Sequence, residues 1–485
     1  MACISALFTD FYELTMAQGF WKKGKIQRAV FEMFFRRHPF EGGFSIFAGL
    51  ETLLDALRSF TFSSDDIEYL RSLKFFDNNF LEYLKDFRFT GSLYAMDEGS
   101  VIFPQEPIVR IDSNLLECQI VEGLVLNIIN FQSLIATKTA RVVLAAGQGG
   151  VMEFGLRRAQ GVDGAMSATR ASIIGGAIGT SNTLAGKQFN VKVMGTMAHS
   201  WVMSFSSEEE AFRVYAELYP EHPIFLIDTY DTLKSGVLNA IKVGKEITER
   251  GGNFGVRLDS GDMYYLTKEV RKKFDAEGLL NATIAVSNDL DEEIITTLTS
   301  QGAPINSWGV GTRMITGGNE AAFGGVYKLT AFADKDGMLQ PTIKFSDNPE
   351  KTSNPSVKQV WRITDKNGMA LADILALDDM DNPELSEKLL IDSSCLYWHP
   401  AADYRHFRQN IETAPQPLLK KRMENGKQIT DNPSLHEIKK HCKAELDGFD
   451  SSYKRLLNPH IYKVAVTEKL RMLKLDLIKS FLGDL

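Results

Sequence analysis

The stretch Gly255-Val-Arg-Leu-Asp-Ser-Gly-Asp262 passes from a short apolar run directly into charged and hydroxyl-bearing residues. The same change recurs along residues 150–315, and segments with helical spacing separate most of the runs. The other runs are Val151-Met-Glu-Phe-Gly155, Ala177-Ile-Gly179, Val191-Lys-Val-Met-Gly195, Ile224-Phe-Leu-Ile227, Ile284-Ala-Val286 and Trp308-Gly-Val310. Short buried strands that alternate with helices are typical of parallel βα repeats. In a barrel of such repeats the reacting groups lie at the carboxyl ends of the strands, so we expect an active site there.

The composition is that of a globular protein with no general attraction for polyanions. The chain has 485 residues, a hydrophobic fraction of 44% and a formal net charge of −8. Binding to nucleic acid or to an anionic membrane surface is therefore not expected. The uncharged stretch 171–186 is shorter than the roughly twenty apolar residues of a membrane span. The amino terminus lacks the basic region of a signal peptide.

The cysteines favour a reducing compartment. None of them belongs to a CxxC pair, and they lie far apart at Cys3, Cys118, Cys395 and Cys442. This spacing argues against a disulfide framework or a zinc site and fits the cytoplasm.

The segments on either side of the repeats have a different pattern. Asp10 and Glu13 have the spacing of a capping box, which predicts a helix that starts at Asp10. Proline, asparagine, serine and lysine are frequent over residues 341–357, which indicates a boundary or a loop. We therefore expect an α/β fold in which an irregular (βα) barrel carries a second α/β domain built from both ends of the chain. The expected segments are the amino-terminal part, the barrel with the active site and the carboxyl-terminal part: residues 1–115, 116–340 and 341–485.

His199 closes the run Gly195-Thr-Met-Ala-His199 at a predicted strand end. A lone histidine is more often a structural residue, but Thr196 and carboxylates at neighbouring strand ends favour a site. A histidine in this position can act as an acid, a base or a nucleophile.

Arg257 and Asp259 point to the same side of a predicted strand, because side chains alternate with a period of two. An arginine inside such a run needs an anionic partner or a solvent-filled site. Asp228 ends the preceding predicted strand, so it is expected beside them. Two carboxylates and an arginine suit a phosphate substrate with bound Mg²⁺, which takes one or two carboxylates plus substrate oxygens. The alternative is a strand followed by a helix cap, which suffices for Asp262.

Gly309-Val-Gly-Thr312, followed by Gly317 and Gly318, offers exposed backbone amides beside a hydroxyl. Such a loop can bind a phosphate near the last strands of a barrel, although glycines also serve plain turns. Arg157 lies just past the run that contains Phe154, which makes it a better site candidate than Arg158.

Taken together, these residues resemble the nicotinate phosphoribosyltransferase family. The matching blocks follow the family's order over most of the chain, and as a set they are highly specific. They are Thr9-Asp-Phe-Tyr-Glu-Leu-Thr-Met16, Glu153-Phe-Gly-Leu-Arg-Arg-Ala-Gln-Gly161, Gly195-Thr-Met-Ala-His-Ser200, Ile227-Asp-Thr-Tyr-Asp231, Gly255-Val-Arg-Leu-Asp-Ser-Gly-Asp262, and Gly309-Val-Gly-Thr312 with Gly324-Gly-Val-Tyr-Lys-Leu329.

The resemblance implies a type II phosphoribosyltransferase fold that works as a homodimer with shared active sites. The implied reaction joins nicotinate to 5-phosphoribosyl 1-diphosphate (PRPP), gives nicotinate mononucleotide and pyrophosphate, and is coupled to ATP hydrolysis with Mg²⁺. His199 matches a histidine that ATP phosphorylates. Asp228 and Asp259 match carboxylates near the ribose and the magnesium.

The remaining implied roles concern substrate binding. The residues that match nicotinate contacts are Tyr12, Thr196 and Arg257, and those that match the ring-stacking and phosphate contacts are Phe154, Arg157, Gly311 and Thr312. The tyrosine reaches across the dimer interface in the family. Asn182 lies where nicotinamide-using relatives carry an aspartate, and a neutral side chain there can donate to the carboxylate of nicotinate. The alternative for Asn182 is a helix cap.

Two rival functions remain at this point. A nicotinamide or quinolinate phosphoribosyltransferase belongs to the same class and uses another base. A non-catalytic barrel that binds a nucleotide and regulates a partner belongs to a different class, and the intact set of Arg257, His199 and two aspartates argues against it. A phosphate-binding isomerase would need a general base, and no residue here is assigned to that role.

Overall fold

The computed structural model describes residues 4–379, 386–389, 394–402 and 404–482. The chain divides into two compact units. The first, here called the terminal unit, contains the chain up to Leu134 and from Ala322 onward; the second, the repeat unit, runs from Ile135 to Ala321. Cys3 lies outside the described residues, and the other three cysteines are free thiols.

The amino-terminal part of the terminal unit is mostly helical, and its last helix continues into the repeat unit. The helices are α1 (Phe11–Lys22), α2 (Leu50–Arg58), α3 (Ser64–Ser72), α4 (Asn78–Lys85), α5 (Leu115–Ile120) and α6 (Glu122–Ala146). The strands are β1 (Arg28–Phe35), β2 (Ser45–Ile46), β3 (Ser92–Ala95), β4 (Val101–Ile102) and β5 (Val109–Asn114).

The repeat unit alternates short strands with helices. Its strands are β6 (Gly150–Glu153), β7 (Gly179–Thr180), β8 (Ile224–Leu226), β9 (Gly255–Leu258), β10 (Thr283–Ser287) and β11 (Ser307–Val310). Its helices are α7 (Gly161–Ile174), α8 (Thr183–Phe189), α9 (His199–Met203), α10 (Glu208–Leu218), α11 (Val237–Glu249), α12 (Met263–Ala276), α13 (Glu292–Ser300) and α14 (Thr312–Ile315).

The carboxyl-terminal part of the terminal unit is rich in strands. These are β12 (Gly325–Ala333), β13 (Leu339–Pro341), β14 (Lys358–Thr364), β15 (Ala370–Leu377), β16 (Ser394–Trp398), β17 (His406–Asn410), β18 (Gln416–Pro417), β19 (Lys420–Glu424), β20 (Lys427–Gln428) and β21 (Val464–Val466). Two helices, α15 (Leu435–Asp447) and α16 (Glu468–Leu482), complete it.

Strands from both ends of the chain share one sheet in the terminal unit. Its order is β13-β12-β1-β5-β3-β19-β20, and β1 pairs antiparallel with both β12 and β5. A second sheet has the order β17-β16-β21-β15-β14-β18, and β2 pairs with β4. The two units divide near residues 134 and 321, whereas the boundaries expected from the sequence lay at 115 and 340. The difference arises because β12 pairs with β1 and because α6 extends from the terminal unit into the repeat unit.

The strands of the repeat unit form one parallel sheet in the order β7-β6-β11-β10-β9-β8. Fully buried aliphatic side chains such as Leu226, Val256 and Val286 form its core together with the helices. Burial on both faces is the reason why these strands read as continuous apolar runs. All the strand ends that precede the polar segments therefore meet at one edge of the sheet.

The mixed α/β class is confirmed, and two expectations about the repeats need correction. The run at 191–195 forms no strand, only a single bridge between Val193 and Thr180. Val193 is 45% exposed, so this run has little apolar surface to bury. No closed barrel is found among the described residues, because the hydrogen-bonded order ends at β7 on one side and β8 on the other.

The start of α1 also differs from the expected capping box. The Asp10 side chain makes no capping hydrogen bond. Glu13 is instead buried and accepts a short hydrogen bond from the Thr9 hydroxyl. Burial of the glutamate takes it away from the backbone amide that a capping box would need. Over the described residues, none of the helices is long and apolar enough to cross a membrane.

Candidate active site

Arg257, on β9, is the centre of the site. Its side chain is 13% exposed, and every nitrogen of the guanidinium donates a hydrogen bond. Nε donates to Thr196 Oγ1 at 2.9 Å and Nη2 to the Met197 carbonyl at 3.0 Å. Nη1 donates to Asp259 Oδ1 at 3.0 Å and to Ser287 Oγ at 2.9 Å. These bonds use four of the five N–H groups, so one N–H of Nη2 remains to donate to an anionic ligand.

Asp228 and Asp259 follow the adjacent parallel strands β8 and β9, so their side chains meet. Asp228 Oδ2 accepts hydrogen bonds from the Asp259 amide at 2.8 Å and from Ser260 Oγ at 2.6 Å. Asp228 Oδ1 is buried and has no hydrogen-bond partner among the residues that the structure describes. Asp259 Oδ1 is bound by Arg257 and by a short hydrogen bond from Ser287, which leaves its Oδ2 outside that network.

His199, the first residue of α9, belongs to the same group. Its Nδ1 lies 3.1 Å from Thr229 Oγ1, and its Nε2 lies 4.0 Å from Asp259 Oδ2. The side chain is 41% exposed. When Nδ1 donates its proton to Thr229, the Nε2 lone pair is free to take a proton or to attack an electrophile. The structure thus brings His199 together with Arg257 and both aspartates.

Phe154 and Arg157 lie next to this group. A Cβ at Gly309 would come within 2.6 Å of the Phe154 ring and 3.2 Å of Ser287 Cβ. Glycine at this position therefore lets the Phe154 ring lie against β11, close to Ser287. Burial lowers the pKa of Arg257, and the positive charge of Arg157 adds to this effect, although Asp259 and Asp228 oppose it. Two cationic side chains therefore share the region.

The glycine-rich segment after β11 borders Phe154. A Cβ at Gly311 would lie 3.3 Å from the Phe154 carbonyl oxygen, so the two segments approach closely. Thr312 is exposed and starts α14. Gly317 and Gly318 have φ values of +79° and +62°, the left-handed region that favours glycine. They turn the chain sharply behind the exposed threonine.

Asn182 is a helix cap in the structure. Its Oδ1 accepts a hydrogen bond from the Ala185 amide at 3.1 Å at the start of α8, and the residue is 2% exposed. Its Nδ2 lies 3.4 Å from Thr169 Oγ1 and 3.5 Å from Met166 Sδ. The capping interpretation therefore describes this side chain, and a direct role toward a substrate stays a prediction.

Tyr12 lies in the terminal unit, on α1, whereas the other candidates lie in the repeat unit. Its side chain is 49% exposed, and the nearby residues Phe8 and Phe11 in the sequence are also exposed. Burial raises the pKa of the neighbouring Glu13 to about 7. Burial also raises the pKa of Tyr12, and the negative charge of Glu122 adds to it. Tyr12 is therefore a neutral, half-exposed aromatic on the surface of its unit.

Sequence reasoning missed two residues that hold the site together. Ser287 binds both Arg257 and Asp259, and its place at the end of an apolar run was the available signal. Glu153 is fully buried at the end of β6 and accepts hydrogen bonds from Thr180 Oγ1 at 2.5 Å and Thr169 Oγ1 at 3.1 Å. The sequence signal for Glu153 was a glutamate inside an apolar run, because a buried carboxyl group needs hydrogen-bond partners.

The donor atoms fit a magnesium ion that shares its ligands with a substrate. Asp228 Oδ1 and Asp259 Oδ2 are hard oxygen atoms that are not committed to Arg257. Among the described residues, no group of three or more His, Cys, Asp or Glu side chains could hold a metal ion. An ion at these two carboxylates would take its other ligands from substrate and water, as Mg²⁺ usually does.

The sequence matches three models that describe nicotinate phosphoribosyltransferase. The amino-terminal domain model matches residues 7–130, the family model residues 150–373 and the carboxyl-terminal domain model residues 357–474. A nicotinate phosphoribosyltransferase of Bacillus subtilis is 41% identical over 466 residues, which cover 96% of this chain and 93% of that protein. One of Caenorhabditis elegans is 36% identical over 529 residues, with 96% and 92% coverage.

The fold gives the same answer. The crystal structure of human nicotinic acid phosphoribosyltransferase superimposes with a TM-score of 0.83 and 31% identity, and covers 97% of this chain and 99% of that one. The matches therefore extend over both units and include every strand end that carries the site. On this evidence the chain belongs to the nicotinate phosphoribosyltransferase family.

Proposed function

We propose that this chain joins nicotinate to PRPP and releases nicotinate mononucleotide and pyrophosphate, a salvage step of NAD biosynthesis. One observation carries the proposal: the Arg257 guanidinium is held beside Asp228 and Asp259 at adjacent strand ends. This arrangement offers a cation for the carboxylate of the base and anions for the sugar. The relatives named above carry the same activity in their names.

The bond changes require charge stabilisation and no strong base. The ring nitrogen of nicotinate forms a bond to C1 of the ribose while the bond from C1 to the diphosphate oxygen breaks. Pyrophosphate leaves with the electron pair of that bond. Positive charge develops on the ribose near Asp228 and Asp259, and negative charge develops on the leaving group near Arg157. The pyridine nitrogen already carries a lone pair, so no proton has to be removed from it.

The two substrates are proposed to bind in the following way. Arg257 and Thr196 bind the nicotinate carboxylate, and the ring of Phe154 stacks on the pyridine. Gly311 and Thr312 bind the ribosyl phosphate through amides and a hydroxyl. Magnesium, when bound, neutralises negative charge on the diphosphate. Asp228 and Asp259 would hold the ion together with substrate oxygens, because each aspartate has one oxygen atom that is not bound to Arg257.

ATP is proposed to act through His199. The Nε2 lone pair attacks the γ-phosphorus, so that a P–N bond forms as the bond to ADP breaks. Water later takes the phosphoryl group and restores the imidazole. Phosphate on His199 adds negative charge beside Asp259, and its loss after turnover couples ATP energy to substrate binding and product release.

The finer features of the fold and assembly belong to the same proposal. We take the parallel sheet of the repeat unit to be an irregular, incomplete barrel of the type II phosphoribosyltransferase kind. The protein works as a homodimer in which the partner subunit's Tyr12 completes each site. The exposure of Phe8, Phe11 and Tyr12 at and just before the start of α1 supports this assembly. A cytoplasmic location and the absence of nucleic-acid partners stay predictions.

Base specificity is tested by measuring pyrophosphate release with PRPP and each of nicotinate, nicotinamide and quinolinate, with and without ATP. We expect nicotinate to be preferred over nicotinamide by at least about 100-fold in kcat/KM, because Arg257 pairs more strongly with a carboxylate than with a neutral amide. Stimulation by ATP is expected with nicotinate. A preference for nicotinamide or quinolinate would replace the proposed substrate, and no release with any base would favour the non-catalytic alternative.

Phosphorylation of His199 is tested with radiolabelled ATP and Mg²⁺. The wild type is expected to give an acid-labile, base-stable phosphoprotein, and His199→Ala should carry no label. His222→Ala, which changes another histidine of the repeat unit, is the matched control and should label normally. We expect His199→Ala to lose ATP stimulation but to keep slow transfer, because the groups around the ribose remain. Label that persists in His199→Ala would show that another residue is modified.

The role of Asn182 is tested with Asn182→Asp. Aspartate caps a helix as well as asparagine does. We expect the ratio of nicotinate to nicotinamide kcat/KM to stay within about two-fold of wild type, because the side chain is buried against α8. Asn182→Ala, which removes the cap, should lower the free energy of unfolding by about 1 kcal/mol. A shift of the ratio toward nicotinamide by more than about ten-fold would show that this side chain reaches the base.

Sharing of the site between subunits is tested by mixing two inactive variants, Tyr12→Ala and Asp259→Ala. Random exchange makes about half of the dimers hybrids with one intact site, so activity should recover to roughly a quarter of wild type. The matched control mixes Arg257→Ala with Asp259→Ala. Both changes lie in the repeat unit, so no hybrid contains an intact site. Subunit exchange is verified with two different tags, and exchange without recovery would mean that Tyr12 does not serve the partner's site.

A further inference from the structure

Three charged side chains that have no role in the proposed reaction are buried together in the repeat unit. Lys138 and Arg141 lie on α6, and Glu292 is the first residue of α13. Lys138 Nζ lies 2.6 Å from Glu292 Oε2, and Arg141 Nε donates to Glu292 Oε1 at 2.9 Å. Burial disfavours the ionised carboxyl, but the two cations outweigh it, and the pKa of Glu292 is lowered. The cluster is therefore charged as well as buried.

This cluster touches the segment 312–318 that contains Thr312. A Cβ at Gly318 would lie 3.3 Å from Lys138 Nζ and 3.4 Å from Lys138 Cε. This distance is slightly tighter than an ordinary van der Waals contact, so the turn lies directly beside the ammonium group. The position of this turn thus depends on where Glu292 holds the Lys138 side chain.

The other end of the segment is tied to the residue before Glu292. Arg313 Nη1 lies 3.1 Å from Asp291 Oδ2. Asp291 also caps α13, because its Oδ1 accepts hydrogen bonds from the amides of Glu293 and Ile294 at 3.1 Å and 2.9 Å. Both ends of the segment are therefore fastened to the first turn of α13.

We propose that Lys138, held by Glu292, and Asp291, which binds Arg313, are positioning residues that fix the segment 312–318 in the shape that binds a sugar phosphate. The proposal rests on the proposed function for the assignment of that segment to the ribosyl phosphate. A flexible segment would lose entropy on binding, and a fastened one has lost it already during folding. A buried ion pair adds little to the free energy of unfolding. Separating its two charges is nevertheless unfavourable, and for this reason the pair keeps the groups around it in one arrangement.

The test measures binding of ribose 5-phosphate by calorimetry, without turnover. We expect Lys138→Met to weaken the binding of ribose 5-phosphate by about ten-fold, while the affinity for nicotinate changes by less than about two-fold. The matched control is Lys272→Met, on α12, where the lysine is exposed. It should bind both ligands like the wild type. A merely stabilising role of Lys138 would lower the melting temperature without this split between the two ligands.

A second variant covers the case in which Lys138→Met does not fold. Asp291→Asn keeps a capping side chain at α13 but removes the charge that binds Arg313, and it is also expected to weaken ribose 5-phosphate selectively. The proposal would be overturned if the folded variants bind ribose 5-phosphate like the wild type, or if they lose affinity for both ligands equally. It would also be overturned if the wild type does not bind ribose 5-phosphate. Absence of nicotinate turnover with intact ribose 5-phosphate binding would instead contradict the proposed function alone.

Discussion

A guanidinium group that is taken out of water has to keep its donors hydrogen-bonded, and this requirement organises the site around Arg257. The partners come from three segments: the stretch with Thr196 and Met197, the end of β9, and Ser287 at the end of β10. Leaving a buried charge without its partner costs about 3–5 kcal/mol. The segment that leads to His199 is therefore held in place by the arginine and has no strand of its own.

The same constraint applies at the other strand ends of the repeat unit. Glu153 is buried at the end of β6 and joins that strand to β7 and α7 through the hydroxyls of Thr180 and Thr169. Glu292 is buried at the start of α13 between two cations of α6. Each charged group ties neighbouring elements together, which makes the edge of the sheet rigid. A rigid edge is what electrostatic catalysis needs, because charges that are already oriented require no reorganisation during the reaction.

A few polar atoms lie outside this network. Among the described residues Asp228 Oδ1 has no hydrogen-bond partner, Asp259 Oδ2 lies 4.0 Å from His199 Nε2, and Thr312 is exposed. Asp228 and Asp259 each use one oxygen in the network, which supports the loop after β9. The proposed binding of a metal ion or a ribose would use the other oxygen of each aspartate.

Periodicity and composition were sufficient for the class of fold and for the strands of the repeat unit, since of the seven predicted runs only the one at 191–195 forms no strand. They also located Arg257 in a strand and the two aspartates at strand ends, because side-chain alternation and burial are local properties of the backbone. The strand end expected before His199 was wrong, since His199 is the first residue of α9. They could not give the partners: Thr196 binds a residue 61 positions away, and Ser287 one that is 30 positions away. They also could not decide between capping and substrate binding at Asn182, or place Glu13 in the core. Those outcomes depend on which segments become neighbours, and the order of strands in the sheet differs from their order in the chain.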